Sequence, residues 1–457
     1  MLPEGNAAET DERIFMKISL SNHFTYRKLL RFTIPSIAMV VFTSIYSVVD
    51  GFFVSNFVGS QAIAAINLIF PVVIILGSIG FMIGIGGSAY IAMLMGEGKD
   101  EEAKGIFSFL VIVLVIIGII FAAAGFILTR PISAAMGATG ELLDQCVVYG
   151  HICFLGLLPL MLQYSFQSFM ITAERPTIGF VVTVGSGITN MALDALFVGV
   201  WNMGIAGAAW ATITSQFLGA VIPIVVFFQK KQRLYFVKPI VDWKALKKVS
   251  TNGMSEFFTN ISMSVVSIVY NLQLMNIIGE DGVAAYGVIM YVAFVFSAVF
   301  FGYSMGASPV IGYHYGAGNQ DELKSLFKKS MTIVTIMSIL MLAVSEILAR
   351  PLALLYVSYN EDLLNMTVHG FRYYAISFGL MGFSVFASSL FTALNNGLIS
   401  GVLSVLRSLV LQVVMVLVLP LILGIDGIWF ATAAAEALGI VLSAYFIIRF
   451  RNRYHYI

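Results

Sequence analysis

Twelve stretches of about twenty or more mostly apolar residues follow one another along this chain. They lie at 30–56, 62–94, 106–129, 144–172, 178–198, 205–228, 249–278, 283–313, 326–349, 362–393, 398–421 and 427–449. Each is long enough to cross a bilayer, which takes ~20 helical residues. In lipid every backbone N–H and C=O must be satisfied within the protein, so stretches of this kind are predicted to be helices. Several exceed what a perpendicular crossing needs, and tilt is expected. Charged residues make up 11% of the chain and hydrophobic ones 59%, against about 25% charged in soluble proteins. The fold class is therefore an all-α integral membrane protein. A net charge of +1 leaves no footprint for nucleic acid. Cys146 and Cys153 fall two turns apart on one predicted helix, too far for a disulfide. Pro35, Pro71, Pro159, Pro223, Pro309 and the run Gly84–Ser88 interrupt the spans, where close packing and kinks are expected.

Lys and Arg fall on alternate loops. Arg13, Lys17, Arg27, Lys28 and Arg31 precede or open the first span, Lys99 and Lys104 follow the second, and Arg175 follows the fourth. The stretch 229–248 holds seven basic residues, Lys324, Lys328 and Lys329 follow the eighth span, and Arg449, Arg451 and Arg453 close the chain. The intervening loops carry only Arg130 and Arg350. By the positive-inside rule both termini are expected in the cytoplasm, which requires an even number of spans. The predicted organisation is a polar tail at 1–28, a first lobe at 29–228, a basic linker at 229–248, a second lobe at 249–449 and a short tail at 450–457. The first tail has no short apolar core followed by a small-residue cleavage site. It is expected to continue as a helix against the membrane.

Shifted by 220 residues, the chain matches itself without gaps from about 57 to 222. Gly96-x-Gly98 falls on Gly316-x-Gly318, and Glu102, Lys104 and Phe107 fall on Glu322, Lys324 and Phe327. Arg130-Pro131 falls on Arg350-Pro351, Thr172-Ala173 on Thr392-Ala393, and Gly204-Ile-x-Gly207 on Gly424-Ile-x-Gly427. Apolar composition alone cannot place charged and Gly-rich loops in register. Six spans return the chain to the same side, so the lobes are related by an axis along the membrane normal. That arrangement, two pseudo-symmetric six-helix lobes, suits alternating access by rocking of one lobe against the other.

Charges within the spans point to function, because ionisable groups at membrane depth are costly and mark ion or substrate paths. Asn190 and Asp194 lie one above the other on one helix face. Asp50, Tyr149 and Thr212 fall at a similar level, roughly 6–13 Å below the outer surface at the rise of an α-helix. Oxygen ligands suit a hard cation such as Na+. Two neighbouring carboxylates also suit a proton carrier, because like charges resist being formed together. The shift puts Val410 and Val414 where the first lobe has Asn190 and Asp194, so the second lobe does not repeat the acids. It has Glu256, Arg407 and Glu436 instead. Glu256 and Arg407 are at similar depth and are expected to pair, as a structural bridge, a gate or a contact for a cationic substrate. Glu346 and Arg350 are expected to pair along one helix, and His151 and His369 to lie at the surface. Phe166, Phe169, Phe294, Phe296, Phe300 and methionines such as Met290 line the middle spans. Phe166 and Met290 are candidate cleft residues beside the packing role that most such side chains have.

Ile34-Pro35, Val49-Asp50-Gly51-Phe52-Phe53-Val54, Gly96-x-Gly98, Asn190-Met-x-Leu-Asp194 and Gly204-Ile-x-Gly207-Ala-Ala-x-Ala-Thr212 together resemble the multidrug and toxic compound extrusion (MATE) transporters, in their bacterial DinF-like and MepA-like branch. The resemblance covers the chain after about residue 25. It implies a MATE-like fold of the MOP superfamily, with twelve helices in two lobes, set in a bacterial cytoplasmic membrane. It implies a secondary antiporter, not an enzyme, that exchanges Na+ or H+ for organic cations and drugs. No cofactor is expected beyond the coupling ion. The implied partners are small amphipathic or cationic substrates and the lipid bilayer, with no nucleic acid, and the chain is expected to act as a monomer. By position the family's first-lobe cation site falls on Asp50, Asn190, Asp194, Tyr149 and Thr212. A span-7 acid used in another branch loosely matches Glu256, but that branch's acid in span 10 has no counterpart here. A lipid or lipid-linked-saccharide flippase of the same superfamily is the alternative. It would call for an Arg- and Lys-rich cleft, whereas the membrane charges here are mostly acidic. The Ser/His or His-x-x-x-His pattern of an intramembrane enzyme is absent.

Overall fold

The computed structural model describes residues 18–58 and 60–457, with all their side chains except those of 51–57, 60, 61 and 63. Its described residues fold into helices joined by short loops. In chain order these are α1 (Tyr26–Phe57), α2 (Ser60–Gly96), α3 (Asp100–Ala135) and α4, which is made of Gly140–Leu155 and Leu157–Thr172. Next come α5 (Pro176–Asp194, then a π-helical turn Ala195–Val200), α6 (Gly204–Phe228), α7 (Trp243–Ile277), α8 (Glu280–Gly316) and α9 (Gln320–Val357). The last are α10 (Glu361–Ala375, a 3₁₀ turn Ile376–Gly379, then Met381–Ala393), α11 (Gly397–Val405, a π-helical segment Leu406–Leu411, then Gln412–Leu423) and α12 (Ile425–Tyr454). Eleven of these are long and apolar enough to cross a membrane, and the two halves of α4, bent by 48°, complete a twelfth.

The α4 bend has a local cause. Gly156 ends the first half, and Pro159 in the next turn cannot donate to the helix ladder. The break in α10 begins at Ile376, the position that the 220-residue shift assigns to Gly156. The loops repeat in conformation as well as in sequence. Gly98 and Gly318 have φ of +77° and +66°, and Gly204 and Gly424 have +59° and +60°. A left-handed residue just past a helix end closes the last carbonyls and turns the chain sharply.

Each lobe has its own core. The first is organised on Phe107, Phe166, Phe169 and Phe227, the second on Tyr270, Tyr286, Phe378 and Trp429. A third cluster joins the lobes at the end of the bundle where α1 begins and α12 finishes, with Phe24, Phe32 and Met39 against Tyr303, Val310 and Phe391. The lobes meet there through α1 on α8 and α2 on both α7 and α8. These contacts are backbone on backbone. A Cβ at Gly96 would lie 2.0 Å from the Tyr313 carbonyl oxygen, and one at Gly316 would lie 2.1 Å from that of Met93. The two contacts exchange under the repeat, as a pseudo-twofold axis between the lobes requires.

The chain enters this junction as an irregular segment. Residues 18–25 are not helical, which corrects the expected surface helix there. The stretch 1–17 of that tail, with Arg13 and Lys17, lies outside the described residues. The physical reason is capture by two carboxylates. Glu174, in the loop between α4 and α5, accepts from the Ser19 hydroxyl (2.6 Å) and the Leu20 amide (3.0 Å). Glu322, at the start of α9, accepts from the Phe24 amide (2.8 Å) and meets the His23 ring. Lys329 donates to the Phe24 carbonyl. Leu20 and Phe24 are fully buried, so the segment lies as a strap from the first lobe to the second. Arg233 of the inter-lobe loop closes the first anchorage by pairing with Glu174 at 3.1 Å and with Asp100 at 3.3 Å.

Candidate functional site

Helices α1 and α5 approach at Gly187, where a Cβ would stand 2.6 Å from the Phe42 ring and 2.8 Å from the Tyr46 ring. One helical turn beyond Tyr46 is Asp50, and two turns beyond Gly187 is Asp194. The close approach thus brings the carboxyl groups of Asp50 and Asp194 together as neighbours. Asp194 is 0% exposed and Asn190 2%. Both Asp194 oxygens, one Asp50 oxygen, and the Asn190 amide oxygen and nitrogen are buried with no hydrogen-bond partner among the described residues. An ionised carboxylate only accepts hydrogen bonds, so two of them side by side cannot satisfy one another. Tyr149 on α4 is buried next to Cys153, with its hydroxyl in the field of both acids. The π-helical turn of α5 starts on the residue after Asp194, and such turns often occur at functional positions.

The structure brings Asp50, Asp194 and Tyr149 together and puts Asn190 one turn from Asp194. The Thr212 hydroxyl donates to its own helix, to the Ala208 carbonyl at 3.0 Å, and its oxygen retains acceptor capacity. Sequence reasoning missed Gly187, Tyr46 and Cys153. Cys153 stands four residues after Tyr149 and Tyr46 four before Asp50, and that spacing was the available signal. Among the described residues no group of three or more His, Cys, Asp and Glu side chains has metal-binding geometry. The arrangement is a small set of oxygen ligands in a largely buried place, suited to a hard monovalent cation or a proton.

In the second lobe the ion pair differs from the expected one. Arg407 bonds to Glu436 of α12 at 3.0 Å, with side-chain exposures of 7% and 2%. Glu256 is half-buried and near enough to feel the guanidinium, but it is not its partner. Arg407 therefore does not line a cleft. It sits in the π-helical segment of α11, whose wider turn re-aims side chains relative to a regular helix, and Gly439 on α12 leaves room for its stem. Breaking a buried pair by removing one partner costs ~3–5 kcal/mol, whereas replacing both by apolar groups is often nearly neutral. Glu436→Gln is accordingly expected to lower the melting temperature of the purified protein clearly. Arg407→Met combined with Glu436→Met is expected to recover most of the loss. A Glu436→Gln protein as stable as wild type would contradict this.

Two further expectations are revised, the cleft role of Phe166 and the pairing of Glu346 with Arg350. Phe166 is 1% exposed and packs on Phe227 in the first-lobe core, so it is not a cleft residue. The second half of α4 is buried on nearly every side, its polar Gln163, Ser165, Gln167 and Ser168 included. Phe169 and Phe300 are likewise core. Met290 is half-buried against the second-lobe core. Glu346 reaches Arg372 on α10 at 3.8 Å instead of forming the expected pair with Arg350. His369 meets Asp426 at an exposed site (2.7 Å), and His151 stacks on Phe126. The two cysteines are free and buried.

With this geometry in place, comparison with known proteins is informative. The MatE family model matches residues 35–196 and again 257–418, one match in each lobe. Multidrug export protein MepA of Staphylococcus saprophyticus is 26% identical over 324 residues, 70% of this chain and 71% of that protein. The protein of the same name from Staphylococcus haemolyticus is 25% identical over 340 residues, 74% of each. A solved structure described as an outward-facing multidrug resistance MATE family transporter of the MOP superfamily superposes with a TM-score of 0.87 at 21% identity. The superposition covers 94% of this chain and 98% of that one. Two family matches in tandem span well over half of the sequence, on a twelve-span, two-lobed helical fold. The chain belongs to the MatE family, the multidrug and toxic compound extrusion transporters.

Proposed function

We propose that this chain is a secondary active antiporter that exports amphipathic or cationic small molecules across a bacterial cytoplasmic membrane in exchange for Na+ or H+. The observation that carries the reading is the adjacent pair Asp50 and Asp194, half-buried and fully buried in turn, with three of their four oxygens lacking a donor among the described residues, in one lobe of a repeated fold and not in the other. Asp50 and Asp194 take the ion, Asn190 and Thr212 offer neutral oxygens, and Tyr149 supplies a phenol at the same level. Two anions held together repel each other, and a proton or Na+ between them removes the repulsion. The bound and empty states therefore favour different spacings of α1 and α5. An ion shifts a conformational equilibrium only through such a difference. With both termini in the cytoplasm, the lobes are clasped at the cytoplasmic end, which leaves the cleft to open outward. The predominance of acids among the membrane charges and the multidrug-export names of the staphylococcal relatives support cationic cargo. Glu256, half-buried and lacking a direct partner for its charge, is the second-lobe group placed to meet it.

The test is counterflow in liposomes holding the purified protein. A fluorescent organic cation should move against an imposed Na+ or pH gradient, and the gradient that drives it identifies the ion. Transport indifferent to both gradients would overturn the reading, and scrambling of a labelled lipid instead would favour the flippase.

A further inference from the structure

Between α7 and α11 runs an apolar groove of about 310 Å³, with Thr251, Met254 and Phe258 on one wall and Leu398, Val402 and Leu406 on the other. Gly397 and Gly401 shape its floor. At Gly397 the helices touch, because a Cβ there would lie 2.4 Å from the Asn252 Cα. At Gly401 a Cβ would meet no atom within 4 Å. Leu398 is 69% exposed and Val402 37%, so the groove opens sideways towards lipid and away from the lobe interior.

The α7 wall continues into charge. Lys247, Thr251, Met254 and Phe258 follow one another at helical spacing on one face, and Lys244 stands one turn earlier. Lys244 and Lys247 are both exposed. Neither has an ion-pair partner among the described residues. Their neighbour Lys248, by contrast, is committed to the Tyr90 ring at 4.9 Å. From Lys247 to Phe258 is about 16 Å along a helix, close to the ~15 Å depth of one leaflet's hydrocarbon. The groove together with the lysines above it thus spans about one leaflet, with two free ammonium groups at headgroup level and the groove's far end at mid-membrane. Those lysines repel the cationic cargo proposed above, and they complement a phosphodiester.

We infer that this groove binds one anionic phospholipid, with an acyl chain between α7 and α11 and the phosphate on Lys244 and Lys247. The site is separate from the acids of the first lobe. Its far wall ends at Leu406, beside Arg407 and at the start of the π-helical segment, so an occupying chain packs against the helix that carries the second-lobe ion pair.

Native mass spectrometry of the purified protein, exchanged into mixed phosphatidylglycerol and phosphatidylcholine, tests this. Wild type should retain one phosphatidylglycerol in preference to phosphatidylcholine. Lys244→Gln with Lys247→Gln should lose roughly tenfold or more of that preference, since each lysine near an anionic surface contributes substantially. Gly401→Leu, whose Cβ has open space within 4 Å and whose side chain then occupies the groove, should lower retention of both lipids. The substituted lysines are exposed and the added Cβ strains no neighbour, so both variants should match wild type in elution and melting. Equal retention by wild type and the double lysine variant would overturn the assignment. Loss on lysine substitution with no effect of Gly401→Leu would also overturn it, because it would mean surface adsorption without a seated chain.

Discussion

Asp194→Asn is expected to reduce ion-driven export to background while the protein stays folded and inserted, and Asp50→Asn is expected to do the same. The substitution keeps size and shape and removes the charge proposed to bind Na+ or H+. A coupling free energy of 1–3 kcal/mol corresponds to roughly 5–150-fold in the linked equilibrium, and all of it is forfeited if the ion no longer distinguishes the two states. Stability should move the other way. Both Asp194 oxygens are buried without a donor, and a buried charge of that kind is costly. The Asn variants should therefore melt at or above the wild-type temperature, as when a functional strain is removed. Full gradient-driven transport by both variants at normal expression would defeat the ion-site assignment. A large fall in melting temperature together with lost transport would mean that the acids are structural.

Gly253→Leu is expected to prevent the clasped arrangement of the lobes altogether. A Cβ at this position on α7 would lie 1.8 Å from the Met82 carbonyl oxygen of α2. Backbone cannot yield as a flexible side-chain tip does, so α2 and α7 must stand further apart in the variant. Each lobe keeps its own core and should assemble. What changes is the balance between conformations, which favours states open at that end. The expected result is transport at background level, together with a longer spin-label distance between the ends of α2 and α7 that meet here. Gly287→Leu serves as the control, since it adds the same side chain to a helical glycine of α8 whose Cβ would meet nothing within 4 Å. Wild-type transport by Gly253→Leu would show that this close contact is not part of the cycle.

Much of the architecture was legible because lipid imposes it. Backbone polarity forces each apolar stretch to be a helix, and the basic loops and the 220-residue register divide the helices into two lobes. The bend at Gly156 and its echo at Ile376 follow the same register. What was not legible is rotation about each helix axis. In a span buried on nearly every side, polar residues included, sequence periodicity carries no inward direction, and Phe166 could not be distinguished from a cleft residue. The exchange of partners at Arg407, from Glu256 to Glu436, has a sharper cause. A π-helical segment changes the angular phase of everything near it, so depth counted along the sequence was right and azimuth was wrong. Asp50 and Asp194 were found because the cost of a carboxylate in lipid does not depend on azimuth. Their neighbours Tyr46 and Cys153 carry no such cost and went unmarked.

The strap at the clasped end also sets a mechanical limit. Its two anchor points, the Leu20 amide on Glu174 and the Phe24 amide on Glu322, belong to different lobes and are separated by a short piece of chain. Fully stretched, that piece reaches about 14 Å at some 3.5 Å per residue. The lobes can part at this end only until the slack is taken up, and any wider opening must first free one carboxylate from its amide. A hydrogen bond to a charged acceptor contributes roughly 1.5–3 kcal/mol, comparable to the free energies that bias transporters between states. The leading segment of the chain therefore behaves as a tether with a breaking load: it permits small excursions freely and adds a threshold to the large one.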